Sequence, residues 1–240
     1  MNSKRILILS ASVVVLLHSA LFSQSRSGDR EWWYGGAVGV NFNYYGGQVQ
    51  ALNAGTTSLA PFTKGAGAGL YLAPLVEYHP DPVWGAMLHL GYDGRRGSFD
   101  EVSSGGNNAS LSTSLSYLSL EPSLRIAPFP SPVYFFVGPR VGFNIGKSFT
   151  YSQTGQSDVP GDWSSSRGAV LGGQAGLGYD FSLSDASSNS QVKLSPFLAV
   201  HVGQGPRSVE SWSLTTVRMG IALKFGSTGT GSGGGDDGGL

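Results

Sequence analysis

The chain has 240 residues, enough for one large domain or two small ones, and 37 of them are glycine. Charged residues make up 12% of the sequence, hydrophobic residues make up 40%, and the formal net charge is zero. A zero net charge provides no basic field to attract nucleic acid and no acidic tract to store cations. The absence of cysteine excludes disulfides, thiolate metal sites and a cysteine-linked lipid anchor.

The N-terminus has the three parts of a secretory signal. Lys4 and Arg5 form a positive region, residues 6–17 form an apolar core broken only by two serines, and small and polar residues follow. The core is short for a membrane-spanning helix, so the pattern predicts a cleaved signal peptide over residues 1–24. An uncleaved anchor helix is the alternative. No later stretch reaches the roughly 20 apolar residues of a membrane helix, so a membrane-bound mature chain must cross with strands.

The rest of the chain alternates between apolar residues and small or polar ones with a period of two. Successive side chains of a strand point to opposite faces, so this pattern predicts strands with one apolar face. Eight segments show it. In chain order, their apolar faces carry Trp32 to Tyr44, Ala68 to Tyr78, Trp84 to Tyr92, Leu118 to Ile126, Val133 to Ile145, Ala169 to Phe181, Val192 to Val202 and Val217 to Phe225.

The fourth segment is ambiguous at its beginning. Leu111 and Leu115 have the opposite parity to Leu118, so the apolar face changes sides before Tyr117. A β-bulge in this segment, or the end of a lipid-facing zone, would each explain the change.

The predicted connections alternate between long and short. Long connections lie near residues 46–65, 93–112 and 147–167, and short ones lie near 79–82 and 127–132, where prolines cannot continue a ladder. The last two connections no longer differ in length. Transmembrane barrels show this asymmetry, with short periplasmic turns and longer outer loops. An even number of strands would place both chain ends on the periplasmic side.

Aromatic residues concentrate near the ends of the predicted strands. Rings with one polar edge favour the two interfaces of a membrane, so the sequence predicts aromatic girdles. The predicted girdle residues are Trp32, Trp33, Tyr34, Tyr44, Tyr45, Tyr78, Trp84, Tyr92, Tyr179, Phe181 and Phe225.

These patterns predict an all-β fold, a single antiparallel up-and-down transmembrane β-barrel of about eight strands over residues 31–225, in the bacterial outer membrane. A soluble barrel or sandwich would show the same alternation with its apolar face turned inward. The non-apolar faces are mostly Gly, Ala and Ser with single charges, whereas a water-facing surface is usually richer in Lys, Glu and Thr. Small residues with scattered charges suit a narrow barrel interior and favour the membrane form.

Two stretches resemble a known family. Tyr117–Arg125 (YLSLEPSLR) and Tyr134–Gly142 (YFFVGPRVG) are similar to the fourth and fifth strands of small bacterial outer-membrane β-barrel domains, the group with OmpA-type transmembrane domains and PorT-like proteins. The resemblance covers about residues 31–225. It implies that the outer-membrane assembly machinery reads the final strand, Met219–Phe225, although that signal normally closes a chain. Here residues 226–240 follow, a Gly-rich segment predicted to be a flexible tail.

The polar faces carry charges that would lie inside a barrel, namely Glu77, His89, Asp93, Glu121, Arg125, Arg140, Asp180, Lys193, His201, Arg218 and Lys224. Charges of one sign are very costly to bury in a narrow interior, so we expect them to pair. The predicted lumen network is a Glu121–Arg140 contact joined by Arg125, Arg218 and Glu77. It either fills the barrel as structure or forms a gate in a narrow ion path.

No segment carries a recognisable catalytic, cofactor-binding or metal-binding motif, because the four histidines have neither triad-like nor metal-ligand spacing. We therefore predict a non-enzymatic, cofactor-free, monomeric barrel with outer-membrane lipid as its partner and no nucleic acid. Eight strands leave room only for side chains inside, so the predicted role is structural, adhesive or in surface interaction. The alternatives are a narrow ion or small-solute channel, and a lipid-modifying or secretion-accessory barrel.

Overall fold

The computed structural model describes residues 31–104, 106–185 and 190–227. The strands in these ranges are β1 Glu31–Ala51, β2 Thr57–His79, β3 Trp84–Ser104, β4 Asn107–Ile126, β5 Val133–Gln153, β6 Val159–Asp162, β7 Ala169–Tyr179, β8 Phe181–Ser182, β9 Ser190–Gly203 and β10 Ser213–Ser227. Within the same ranges, no helix is long and apolar enough to cross a membrane. The predicted signal peptide and all but the first two residues of the predicted tail lie outside the described residues.

Eight of the strands form a closed antiparallel ring. Each long strand pairs with the next one along the chain, with β5 pairing with β7 and β7 with β9. β10 pairs with both β9 and β1, and its ladder with β1 runs from Trp32–Ser227 to Gly46–Ser213. The short strands β6 and β8 add to β5 and β9 without entering the ring. The predicted all-β barrel of eight antiparallel strands is confirmed.

The two ends of the ring differ in construction. The terminal rim holds the beginning of β1, the end of β10 and the turns at residues 80–83 and 127–132. In the first turn, Asp81 Oδ1 accepts hydrogen bonds from the backbone N–H groups of Val83 and Trp84 at 2.8 and 2.9 Å. The distal rim, at the opposite end, holds the segments 52–56, 154–168 and 204–212.

The long connections predicted near residues 46–65 and 93–112 are wrong as loops, because both stretches are mostly strand. Only residues 52–56 separate β1 from β2, and β3 continues as far as Ser104 before β4 begins at Asn107. The sequence pattern failed there because the outward side chains of these extensions are polar. An apolar outward stripe was the signal on which the strand prediction depended.

The barrel wall is divided into two zones with opposite polarity. In the apolar belt, next to the terminal rim, outward side chains such as Leu118 (41% exposed) are apolar, while the inward ones mix small and charged residues with buried apolar ones such as Leu75, Tyr134 and Phe136. In the distal extension, the outward positions of β3, β4 and β5 include Ser98, Ser110, Ser112, Ser114, Ser116, Ser148, Thr150 and Ser152.

The interior of the distal extension is filled by apolar side chains that we call the distal plug. Leu111 and Leu115 belong to it, each 1% exposed. Its members are Tyr45, Val49, Leu52, Phe62, Phe99, Ala109, Leu111, Leu115, Tyr117, Phe149, Tyr151, Trp163, Val170, Trp212 and Leu214. The phase change read from the sequence is therefore a change in the surroundings of β4, whose leucines exchange lipid for the barrel interior.

A β-bulge does occur beside the ambiguous segment, but it lies in the neighbouring strand. The register between β4 and β5 skips Ile145 between the partners of Tyr117 and Ser116. This extra residue reverses the parity of β5, so that Arg140 before the bulge and Phe149 after it both face the interior. β4 itself keeps a single phase along its whole length.

Two of the predicted girdle residues are wrong. Trp33 and Tyr45 are 1% and 4% exposed and point into the barrel. They directly follow the outward-facing Trp32 and Tyr44, and adjacent residues of a strand cannot share a face. The remaining predicted girdle residues face outward, namely Trp32, Tyr34, Tyr44, Tyr78, Trp84, Tyr92, Tyr179, Phe181 and Phe225.

The two zones can be tested with a pair of leucines on the same strand. We expect Leu115→Ala to lower the free energy of unfolding by about 2–5 kcal/mol, because it leaves a cavity in the distal plug. Leu118→Ala should cost only about 1–2 kcal/mol, since an outward side chain leaves no cavity. Urea unfolding of the protein in lipid vesicles measures both losses. A larger loss for Leu118→Ala would mean that Leu115 does not face the interior.

Candidate functional site

The middle of the barrel holds five buried charged side chains that we call the central cluster. β3 supplies Asp93 and Arg95, β4 supplies Glu121, β5 supplies Arg140 and β10 supplies Arg218. Each is at most 6% exposed. The alternation of each strand turns these side chains inward, and the closed ring makes them converge.

The ion pairs of the central cluster share two carboxylates among three guanidinium groups. Arg140 Nε and Arg218 Nη1 each lie 2.8 Å from an oxygen of Glu121. Arg218 Nη2 lies 3.1 Å from Asp93 Oδ1, and Arg95 Nε lies 2.7 Å from Asp93 Oδ2. Arg140 Nη2 donates to the same oxygen of Asp93. Each carboxylate therefore bridges at least two strands besides its own.

Neutral side chains complete the surroundings of Arg218 and Glu121. Arg218 Nε donates to Asn41 Oδ1 at 2.8 Å, and its guanidinium carbon lies 3.4 Å from the centroid of the Tyr71 ring. Ser119 Oγ donates to Glu121 Oε1 at 2.8 Å. Buried charges are tolerated when they are paired and hydrogen-bonded in this way.

A second group of charges, which we call the terminal cluster, lies closer to the terminal rim. Lys224 Nζ lies 2.8 Å from Glu77 Oε1 and 3.0 Å from Asp180 Oδ1. Arg125 Nη2 lies 3.0 Å from Asp180 Oδ2. His79 Nε2 is 3.2 Å from Glu77 Oε2. Two carboxylates and two basic side chains balance each other in this cluster.

The structure brings together some of the predicted network and separates the rest. Arg140 contacts Glu121 and Arg218 joins them, as the sequence predicts. Glu77 and Arg125 were predicted in the same network, and this is wrong, because both lie in the terminal cluster. Among the described residues, no ion pair joins the two clusters.

The sequence prediction misses five participants in these clusters or their roles, among them His79, which it assigns to the connection at 79–82. Asp93, Asp180 and Lys224 were recognised as inward-facing but were not placed in the network. Arg95 was missed because residues 93–112 were predicted to be a loop. The parity that carries Asp93 inward extends to Arg95 two residues later, and that signal was available once the strand was known to continue.

The distal rim is fastened over the plug by one arginine. Arg207 Nη1 donates to the carbonyl of Ala51 at 2.7 Å, and its Nε donates to the carbonyl of Ser164 at 2.9 Å. Its guanidinium lies 5.2 Å from the Trp163 ring and pairs with Glu210. Burial lowers the pKa of Arg207, and the charge of Glu210 opposes that shift. Arg207 thereby joins the end of β1 and the segment 154–168 to its own segment, 204–212.

The described residues contain no group of three or more His, Cys, Asp or Glu side chains arranged to hold a metal ion. The carboxylates inside the barrel are bound to cations on other strands. The arrangement therefore serves charge pairing and filling of the interior.

A scan against protein-family models matched residues 22–198 to the outer membrane protein beta-barrel domain. A search of curated protein sequences gave no match.

Similar solved structures include Neisserial surface protein A, at 14% identity, with 82% of this chain and 98% of that chain covered and a TM-score of 0.36. OprG from Pseudomonas aeruginosa is 13% identical, with 83% and 96% covered and a TM-score of 0.39. Ail from Yersinia pestis is 12% identical, with 82% and 100% covered and a TM-score of 0.34. At TM-scores below 0.5 these likenesses carry no argument, and the family assignment depends on the sequence match.

The separation of the two clusters can be tested by double-mutant cycles. Arg140→Met should cost about 3–5 kcal/mol of unfolding free energy, because it removes two hydrogen bonds between a guanidinium and buried carboxylates, each worth about 1.5–3 kcal/mol. Combined with Glu121→Gln, it should show a coupling energy of about 0.5–3 kcal/mol. Combined with Arg125→Met, its effect should add within about 0.5 kcal/mol, since the two arginines share no partner. Urea unfolding measures each term, and a coupling between Arg125 and Arg140 as large as that with Glu121 would indicate one continuous network.

Proposed function

Because the chain belongs to the outer membrane protein beta-barrel domain family and is a barrel of the bacterial outer membrane, we propose that it acts as a closed, non-conducting barrel that holds a rigid polar surface outside the cell. The observation that carries this proposal is the distal plug. Fifteen buried apolar side chains fill the part of the barrel through which any solute would have to pass. Its role is structural and in contact with other molecules or surfaces.

The plug and the central cluster argue against a channel because they lie one behind the other along the barrel axis. An ion path would need water-filled space through both. In the plug, the rings of Trp163 and Trp212 are 4.7 Å apart, and those of Phe149 and Trp163 are 5.0 Å apart. Eight strands leave an interior that side chains can fill. Salt bridges fill the next layer, so both layers favour the structural role over the narrow channel.

The surface offered for contact is the outward face of the distal extension, which we call the hydroxyl face. The register places its residues side by side on β3, β4 and β5: Ser98 is opposite Ser112, and Ser112 is opposite Thr150. Ser114 is opposite Ser148 in the next row. Such rows form a flat, polar surface that has no reason to enter lipid, which supports a position outside the apolar belt.

The proposal also covers how the protein is exported and which end of the barrel faces the periplasm. A signal peptide over residues 1–24 would direct export and be cleaved, and Met219–Phe225 would present the final strand to the assembly machinery. The terminal rim would then face the periplasm, and the distal extension would face outward. We propose a monomer in outer-membrane lipid with no catalytic role and no cofactor.

Planar-bilayer recording tests the closed state. We expect no discrete conductance steps from the wild-type protein, because the plug leaves no water path, while a general porin in the same bilayer gives steps. Arg140→Met is the diagnostic variant, since any ion crossing the lumen must pass the central cluster. Wild-type steps whose size changes in Arg140→Met would contradict the proposal and support the narrow-channel alternative.

Attachment of cells that express the protein tests the hydroxyl face. Ser112→Glu places a charge in the middle of the rows, so we expect attachment to polysaccharide-coated and protein-coated surfaces to fall. Gln48→Glu is the matched control, because it adds the same charge at an exposed position of β1, outside these rows. Both variants should keep the heat-modifiable gel migration of a folded barrel. If cells that express the wild type and cells that express Ser112→Glu attach equally well, the hydroxyl face is not the contact surface.

A further inference from the structure

A small cavity lies against the inner wall of the barrel where the ladder between β7 and β9 ends. The last pair of that ladder is Gly172–Gly203, and both glycines line the cavity. The side chains of Arg95, Arg140 and His201 line it from the interior. Its volume is about 20 Å³, which is room for one species of about the size of a water molecule.

The polar side chains that line this cavity have hydrogen-bond donors left over. Arg95 uses only Nε, in its bond to Asp93, and Arg140 uses Nε and Nη2. His201 is 3% exposed, and neither of its ring nitrogens has a partner among the described residues. Buried polar groups in folded proteins nearly always have partners, so the two unpartnered ring nitrogens of His201 beside this cavity need an explanation.

The charge of the central cluster points to the kind of partner that is needed. Arg95, Arg140 and Arg218 provide three positive charges against two from Asp93 and Glu121. The terminal cluster is balanced, so the surplus belongs to the central cluster. A buried charge without a counter-ion is strongly unfavourable. No Asp or Glu side chain lines the cavity to supply one.

We propose that this cavity is a binding site for one small monovalent anion of the size of chloride. The anion would accept hydrogen bonds from the free guanidinium nitrogens of Arg95 and Arg140 and from the N–H of a neutral His201. It would neutralise the surplus charge of the central cluster. The anion is a structural component of the closed lumen and is not in transit.

Bromide scatters X-rays anomalously and can replace chloride, so it tests the site in the unaltered protein. We expect crystals grown in sodium bromide to show an anomalous peak between Arg95, Arg140 and His201. Bromide data with a measurable anomalous signal but no anomalous peak between these three residues would overturn the proposal. This measurement does not depend on any variant folding correctly.

The stability of the folded protein provides a second test. At constant ionic strength, replacing gluconate by chloride should raise the midpoint of thermal unfolding by about 2–4 °C and then saturate, as expected for a ligand that binds only the folded state. Arg95→Met removes the surplus charge and one set of donors, so its midpoint should not respond to chloride. Arg207→Met is the matched control, a buried arginine outside the cavity, and should keep the full response. An equal response in wild type and Arg95→Met would contradict the site.

Discussion

Closure of the ladder between β1 and β10 is the constraint on which the rest of the structure depends. A sheet in hydrocarbon must pair every backbone N–H and C=O group, and only a ring without edges does so. Once eight strands close, the interior is only as wide as the side chains that fill it. The side chains inside the barrel must then pair their charges and hydrogen-bonding groups with one another, because water cannot pair with them. Two parts of the interior meet this requirement in different ways. One is the set of arginines paired with carboxylates, and the other is the distal plug.

The polarity of the filling follows from what lies outside the wall. In the apolar belt, lipid requires apolar outward side chains, and the inward positions combine Gly, Asn and paired charges with buried rings such as Tyr71 and Phe136. This mixture keeps each strand free of the roughly 20 continuous apolar residues of a membrane helix. Above the belt the outside is water, so hydroxyl groups face outward. The hydrophobic effect is then free to drive Leu111, Phe149 and Trp163 inward.

This reversal decides how much the sequence could predict. Period-two alternation located the belt portion of all eight strands, because one face there is apolar throughout. It does not tell whether an apolar face meets lipid or the interior, so it predicts a change of phase at Leu115 and a loop at Arg95. Alternation alone excludes Trp33 from the aromatic girdle, because Trp32 beside it faces outward and adjacent strand residues face opposite sides. The sequence predicts the Glu121–Arg140 contact between neighbouring strands, but not the bond from Arg140 to Asp93, because it crosses strands that are not neighbours in the ring.

The filled interior also determines what kind of outer surface the barrel can present. The distal segments are not free, because Arg207 ties two of them to each other and to the end of β1, and Trp163 and Trp212 anchor the same two in the plug. Recognition by rearranging loops would have to break these contacts. The rows of hydroxyl groups on β3, β4 and β5 are instead held at the spacing of the strands, roughly 4.8 Å apart. A partner would therefore meet a fixed array, and selectivity would depend on matching that spacing more than on induced fit.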